Sequence, residues 1–204
     1  MNLGFIDQAR QTLDARFAAR EVGITGSRKV IRAAANGIRA LHRAQWDEAE
    51  ELIAESTRLL AEIQRALADH PEMLHAGFVS DAAKEYAEAR ITQAVFTGSE
   101  IPSFEELGID PVPYLHGLGE TVGEMRRRML DLLRREDLDE AQRMLDQMDE
   151  IVDILAELDY PDGMTAGLRR TTDVARSLVE RSRSDLTSTM VQERLREDLR
   201  RHQG

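Results

Sequence analysis

Apolar residues in this chain recur three and four positions apart along its length, and nowhere do they alternate over a strand-length window. The spacing predicts helix after helix. A first helical region covers residues 3–44, with Gly23 and Gly26 as the places most open to an interruption. A second begins after Trp46 with Asp47 as N-cap and runs to Asp69. Pro71 suits the first turn of a third, which carries Phe78, Ala82, Tyr86 and Ala89 on one face and ends near Gly98. Ser103 and Glu106 have capping-box spacing and open one short turn. A fourth helix follows Pro113, with Tyr114, Leu118, Val122, Met125, Met129 and Leu132 along one stripe. Asp137 with Glu140 begins a fifth, and the turn Tyr160-Pro161-Asp162-Gly163 separates it from a last long helix to Arg201. With no internal repeat and no linker long enough to part domains, the expected architecture is an all-α, single-domain array of six to seven antiparallel helices spanning residues 1–204.

Composition narrows what such an array does. A length of 204 residues suffices for a full core. The 38 Asp and Glu against 27 Lys and Arg give a net charge of −11, which excludes a protein that coats nucleic acid indiscriminately, because that affinity comes from neutralising phosphates. A local basic site stays open. The absence of cysteine removes disulfides, thiolate metal sites and cysteine nucleophiles, and makes a reducing cytoplasm the expected compartment. No apolar run reaches the ~20 residues of a membrane span and no signal-peptide pattern follows Met1, so no membrane partner is expected. The basic residues are almost all arginine, since Lys29 and Lys84 are the two lysines.

Against this background four carboxylates stand out as two helical pairs, Glu85 with Glu88 and Glu120 with Glu124. Acids three or four residues apart share a helix face. Two such pairs brought together make an all-oxygen pocket suited to Mg or Mn. At ~100° per residue, Glu85 falls at the edge of the apolar face of the third helix and Glu88 one step further out. Glu120 and Glu124 lie opposite the apolar stripe of their own helix, on what the pattern reads as a water-facing side, with His116 extending the row. With 38 acids on long helices such pairs arise often, so spacing alone leaves a metal site and a solvated face both open.

The first helical region carries the opposite charge. Residues 10–43 hold seven Arg and one Lys against Asp14 and Glu21, a local +6 that leaves −17 on the rest of the chain. Arg28, Arg32, Arg39 and Arg43 fall within a stripe about 60° wide on a helix, with His42 beside them. An arginine row of this kind suits a phosphate backbone, because each guanidinium presents a planar fork of donors. An ordinary solvated face, or partners for acidic neighbours in an oligomer, fits the row equally. Other chemistries lack their residues: there is no nucleophile elbow, no His-Glu-x-x-His, no Gly-x-Gly-x-x-Gly loop, and neither acidic pair has the Glu-x-x-His spacing of a di-iron bundle.

The segment KEYAEA from Lys84 to Ala89 resembles the Gln-Glu-Tyr-Val-Glu-Ala motif of the translin family's catalytic, factor X type. The segment DPVPYLHGLGETVGEMRRR from Asp110 to Arg128 resembles that family's Pro-x-x-Tyr-Leu-x-Gly-x-x-x-x-x-Gly-Glu-Leu-x-Arg stretch, and Ser27-Arg28 with Leu41-His42-Arg43 adds a weaker match. The resemblance implies an all-α protein assembled into a closed homo-oligomer, typically an octamer, that binds single-stranded RNA or DNA on its interior. It further implies a Mg- or Mn-dependent endoribonuclease whose four acids fall on Glu85, Glu88, Glu120 and Glu124. Glu120 departs from the family's Asp by one methylene, which bears on metal geometry because Mg is intolerant of displaced ligands. On this reading residues 1–44 form the basic N-terminal region and residues 72–134 carry the acidic site. A non-catalytic translin-like module binding single-stranded RNA or DNA is the alternative, and a purely structural helical scaffold a third reading.

Overall fold

The computed structural model describes residues 4–203, and among them every regular element is a helix. Six are long: α1 (Gly4–His42), α2 (Trp46–Ala66), α4 (Gly77–Thr97), α6 (Pro111–Arg134), α7 (Leu138–Ala156) and α9 (Leu168–Gln203). Three are single turns between them: α3 (Pro71–Leu74), α5 (Phe104–Leu107) and α8 (Asp162–Thr165). Contacts group the chain into two compact units, one up to Gly117 and one from Leu118 onward, so the division falls inside the unbroken helix α6.

In the first unit α1 does not break at Gly23 or Gly26. Those glycines, with Gly37, instead mark where other helices come closest. A Cβ built on Gly23 would stand 2.5 Å from the Phe78 ring of α4, one on Gly26 2.6 Å from Ile63 of α2, and one on Gly37 2.6 Å from Ile53 of α2. Gly23 also faces Leu67 and Gly37 faces Ile53, so α2 runs antiparallel to α1. The contacts Gly23 to Phe78 and His42 to Phe96 set α4 alongside α1 in the same direction. Ala34, Ile38, Leu41, Ala49, Ile53 and Ala89 close the core at this end. Burying a side chain such as Leu41 or Ile53 contributes about 1.5–3 kcal/mol each.

Helix boundaries follow local capping chemistry. The second helix starts at Trp46 behind Gln45, which places the expected N-cap Asp47 inside the first turn, where its charge still complements the helix dipole. It ends at Ala66, three residues before the expected Asp69. Pro71 does open a helix, but only one turn, and α4 starts anew at Gly77. Gly98, at φ 68°, ends α4 in the left-handed conformation that glycine adopts without strain. Ser103 and Glu106 make the full capping box at α5. The following helix begins at Pro111 and not after Pro113: Asp110 caps it by accepting the Val112 N–H at 2.9 Å, and a proline loses nothing in a first turn whose N–H groups lack partners.

The second unit holds the rest of α6 with α7, α8 and α9. Asp137 caps α7 by accepting the Glu140 N–H. Val122, Met125 and Met129 of α6 are fully buried, as are Met148 of α7 and Val179 of α9 to within a few per cent. Gly119 brings α6 against Thr171, where a Cβ would lie 2.5 Å from the threonine methyl. Further along, Arg126 donates to Ser182 Oγ and to Asp185 Oδ2, each at 2.8 Å, and ties α6 to α9.

Candidate functional site

The side chains of the acidic site are aimed by a run of small and core residues. In α4 Tyr86, Ala87 and Ala89 are buried, and the helix is packed on nearly all sides because alanine lets neighbours approach closely. At Gly117 an ideal Cβ would stand 2.8 Å from the Lys84 carbonyl oxygen, 2.9 Å from the Glu88 amide nitrogen and 2.8 Å from Ala87 Cβ. Only glycine permits that approach of α6 to α4. The same uninterrupted helix presents Glu120 less than one turn later.

Glu85, Glu88 and Glu120 each offer a carboxylate oxygen, and these oxygens all lie within 4.8 Å of one another. Glu88 is the buried member, 9% exposed, while Glu85 and Glu120 are half-buried. This reverses the order expected from periodicity, which set Glu85 nearer the apolar face and Glu88 further out. The reason is the α6 contact at Gly117: the side of α4 that reads as outward carries a second helix. Glu120 and Glu124, expected on a water-facing side, are likewise half-buried. Glu124 lies one turn beyond Glu120, outside the group of three, with Arg127 at 3.9 Å. His116 is half-buried.

Like-charged carboxylates so close together repel one another unless a cation sits among them. All three donors are hard oxygens, the ligand class of Mg and Mn. A nitrogen cation is already adjacent: Lys84 Nζ lies 3.3 Å from Glu85 Oε1. Sequence reasoning assigned no role to Lys84 or Gly117. The signal for the glycine was its place inside an amphipathic helix, where it costs stability unless something packs there.

Tyr114 fixes the start of α6, its hydroxyl donating to the Pro102 carbonyl at 2.9 Å. Burial, and then the negative charge of Glu106, raise its pKa above the ordinary value of 10. A cavity of about 580 Å³ in the first unit is lined by Leu60, Gln64, His75, Val79, Ser80 and Asp110 and takes in none of the four glutamates. A wide hollow is not what marks the acidic site.

Arg28, Arg32, Arg39 and Arg43 are all exposed along α1. Among the described residues none of the four is ion-paired with a carboxylate; Arg39 donates to Asn36 Oδ1 on its own helix. By contrast Arg58, Arg143 and Arg183 are each held by acids. His42 does not stand in the exposed row but packs edge-on to Phe96, ring centres 5.2 Å apart.

No family model matches the sequence. An uncharacterized protein of Methanocaldococcus jannaschii is 30% identical over 188 residues, covering 91% of this chain and 83% of that protein. The structure of an AfC3PO–duplex RNA complex superposes with a TM-score of 0.83 at 31% identity, over 91% of this chain and 96% of the other. Crystalline AfC3PO alone gives the same score and identity. Apo-NeC3PO also reaches 0.83, over 93% of this chain and 99% of its own, at 20% identity, which speaks for the fold alone. Identity of this order sustained over nearly the whole length of both chains means common descent: this chain belongs to the C3PO family and has the translin-like fold.

Proposed function

We propose that this chain is an RNA-binding, divalent-metal-dependent endoribonuclease of the catalytic, factor X type. The observation that carries the reading is the convergence of Glu85, Glu88 and Glu120 carboxylate oxygens within 4.8 Å. These three would hold Mg or Mn, with Glu124 one turn further along α6 as the fourth acid of the site. When bound, such a cation supplies charge neutralisation at the phosphodiester and an activated water. The chain's own part is to fix the ligands. Burial holds the Glu88 carboxylate in place, and Gly117 sets the distance between the helices that carry the acids.

The exposed arginines of α1 supply the RNA contact. Four exposed guanidinium groups in one row, none of them ion-paired with a carboxylate among the described residues, present forks of donors to phosphates, in a chain whose net charge of −11 repels RNA elsewhere. Aromatics make up only 4% of the chain, so the surface reads backbone and not base identity. The relative holding duplex RNA adds support for RNA as the ligand. Single-stranded RNA is the substrate that cleavage requires, on the resemblance of the two acidic motifs, and single-stranded DNA a second ligand. Assembly is into a homo-oligomer, an octamer on the same resemblance, in the cytoplasm, with residues 1–204 acting as one domain.

The experiment is direct. Purified protein is incubated with end-labelled single-stranded and duplex RNA, with and without Mn²⁺, at two salt concentrations. Metal-dependent cleavage of the single strand, with binding that weakens steeply in salt, is the expected result. Retention of RNA without cleavage under any metal would establish the non-catalytic binding module instead.

A further inference from the structure

The acidic face of α6 ends in an arginine. Seven residues on from Glu120 the helix has completed nearly two turns, so Arg127 stands within about 20° of Glu120 and ~10 Å along the axis, less than one turn beyond Glu124. Cover along this face lifts in the same direction: Gly117 is buried, Glu120 and Glu124 are half-buried, and Arg127 is exposed. The face opens to solvent at its arginine end.

The preceding residue shows what an arginine committed to the fold looks like here. Arg126, about 100° round the helix, is 19% exposed and donates to Ser182 Oγ and Asp185 Oδ2, each at 2.8 Å. Arg127 is 58% exposed, and its ion pair to Glu124 Oε2 spans 3.9 Å, beyond hydrogen-bond reach. Arg134, two turns later, closes the same three-residue spacing onto Asp131 at 3.3 Å. Among the described residues the Arg127 guanidinium makes no hydrogen bond, so its fork of donors faces water.

We propose that Arg127 is the RNA-positioning residue of the acidic site: its guanidinium donates to the non-bridging oxygens of the phosphodiester brought up to Glu85, Glu88 and Glu120. The inference rests on the metal-site reading given above. An exposed ion pair is weak and screened by salt, so the arginine leaves Glu124 at little cost. A two-pronged, charge-assisted hydrogen bond to a phosphate is the stronger interaction. The role differs from that of the arginine row on α1, which meets the RNA backbone wherever it lies. Arg127 acts on the one phosphate at the acids, so its contribution to RNA affinity depends on the metal. A merely solvated arginine contributes equally with and without it.

The test uses the full-length protein and measures binding, not turnover. Affinity for a single-stranded 2′-O-methyl oligoribonucleotide, checked intact on a gel afterwards, is measured by fluorescence anisotropy in EDTA and in saturating Mn²⁺. Mn²⁺ affinity itself is measured by calorimetry. Arg127→Gln is expected to bind the oligonucleotide about tenfold more weakly in Mn²⁺, the size of a lost charge-assisted hydrogen bond, and within about twofold of wild type in EDTA, as for an exposed surface charge. It is expected to bind Mn²⁺ and to melt as wild type does. Arg127→Lys restores the charge without the fork and is expected to fall between the two. Arg134→Gln, exposed further along the same helix, is expected to change affinity equally with and without Mn²⁺. An Arg127→Gln loss that is absent, equal in EDTA and Mn²⁺, or matched by Arg134→Gln overturns the inference alone. Failure of the folded wild-type chain to bind Mn²⁺ at all overturns the metal site and the inference together.

Discussion

Gly117 and Glu88 touch backbone to backbone: a Cβ on the glycine would stand 2.9 Å from the Glu88 amide nitrogen. Neither atom belongs to a flexible side chain, so the strain of an added methyl cannot be relieved by a rotamer change. Gly117→Ala is expected to destabilise the protein by about 1–3 kcal/mol, lowering the melting temperature by about 2–4 °C per kcal/mol. It should also weaken Mn²⁺ binding more than a distant variant of equal stability does, because the displaced helix carries Glu120. Calorimetric melting and Mn²⁺ titration of the same variant check both parts.

The glycines of α1 and α4 give a matched pair. At Gly37 an alanine methyl would press on Ile53 Cγ1 at 2.6 Å, beside a β-branched, fully buried side chain. At Gly77 nothing lies within 4 Å and the backbone is not left-handed. Overpacking of about 1–3 kcal/mol at Gly37 exceeds the helix-propensity gain of about 1 kcal/mol, so Gly37→Ala should melt lower than wild type. Gly77→Ala should melt at or slightly above it. Urea unfolding midpoints of the two variants decide this.

Tyr114 makes alkaline stability a test of the α6 entry. Its folded-state pKa is raised above 10 by burial and then by Glu106, so the folded protein favours the neutral phenol. Stability from this group is therefore fully present below pH ~10, its unfolded value, and is lost as pH rises through the higher folded value. Tyr114→Phe should cost about 1 kcal/mol near neutral pH, from the lost hydrogen bond to the Pro102 carbonyl. It should also flatten the stability decline above pH ~10. Denaturation at pH 7 and across the alkaline range measures both.

The helical plan was legible because it rests on local rules: 3.6-residue periodicity, the Ser103 and Asp137 caps and the stop at Gly98 are short-range chemistry. Environment on the polar faces was not. Glu88 reads as the more exposed member of its pair until Gly117 lays a second helix across it, and no single-helix projection contains that contact. Glu120 and Glu124 likewise read as solvated although they are half-buried, and a single-helix projection does not show what covers them. The arginines of α1 stand exposed because the basic face of an amphipathic helix remains outermost when the opposite face fills with Val30, Ala34, Ile38 and Leu41. His42 was the exception, drawn inward by the Phe96 ring.

The arginine row predicts a change in salt dependence, not merely in affinity. If Arg28, Arg32, Arg39 and Arg43 each engage a phosphate, replacing all four with alanine should reduce the slope of log affinity against log salt by about 3 on single-stranded RNA, from ~0.7 per neutralised phosphate. Filter binding across a salt series measures the slope. An unaltered slope would assign the row to an ordinary solvated face.

The central claim is that Glu85, Glu88 and Glu120 together bind a divalent cation that RNA cleavage needs. Glu88 is the most buried of them, and glutamine keeps its shape while removing its charge. The decisive measurement is therefore a Mn²⁺ titration of wild type and Glu88→Gln by calorimetry, with cleavage of single-stranded RNA followed in the same samples. The account predicts saturable binding in the wild type, at least about tenfold weaker in the variant, with cleavage lost in parallel and the fold retained. Equal Mn²⁺ affinity and equal cleavage in the two proteins would contradict it.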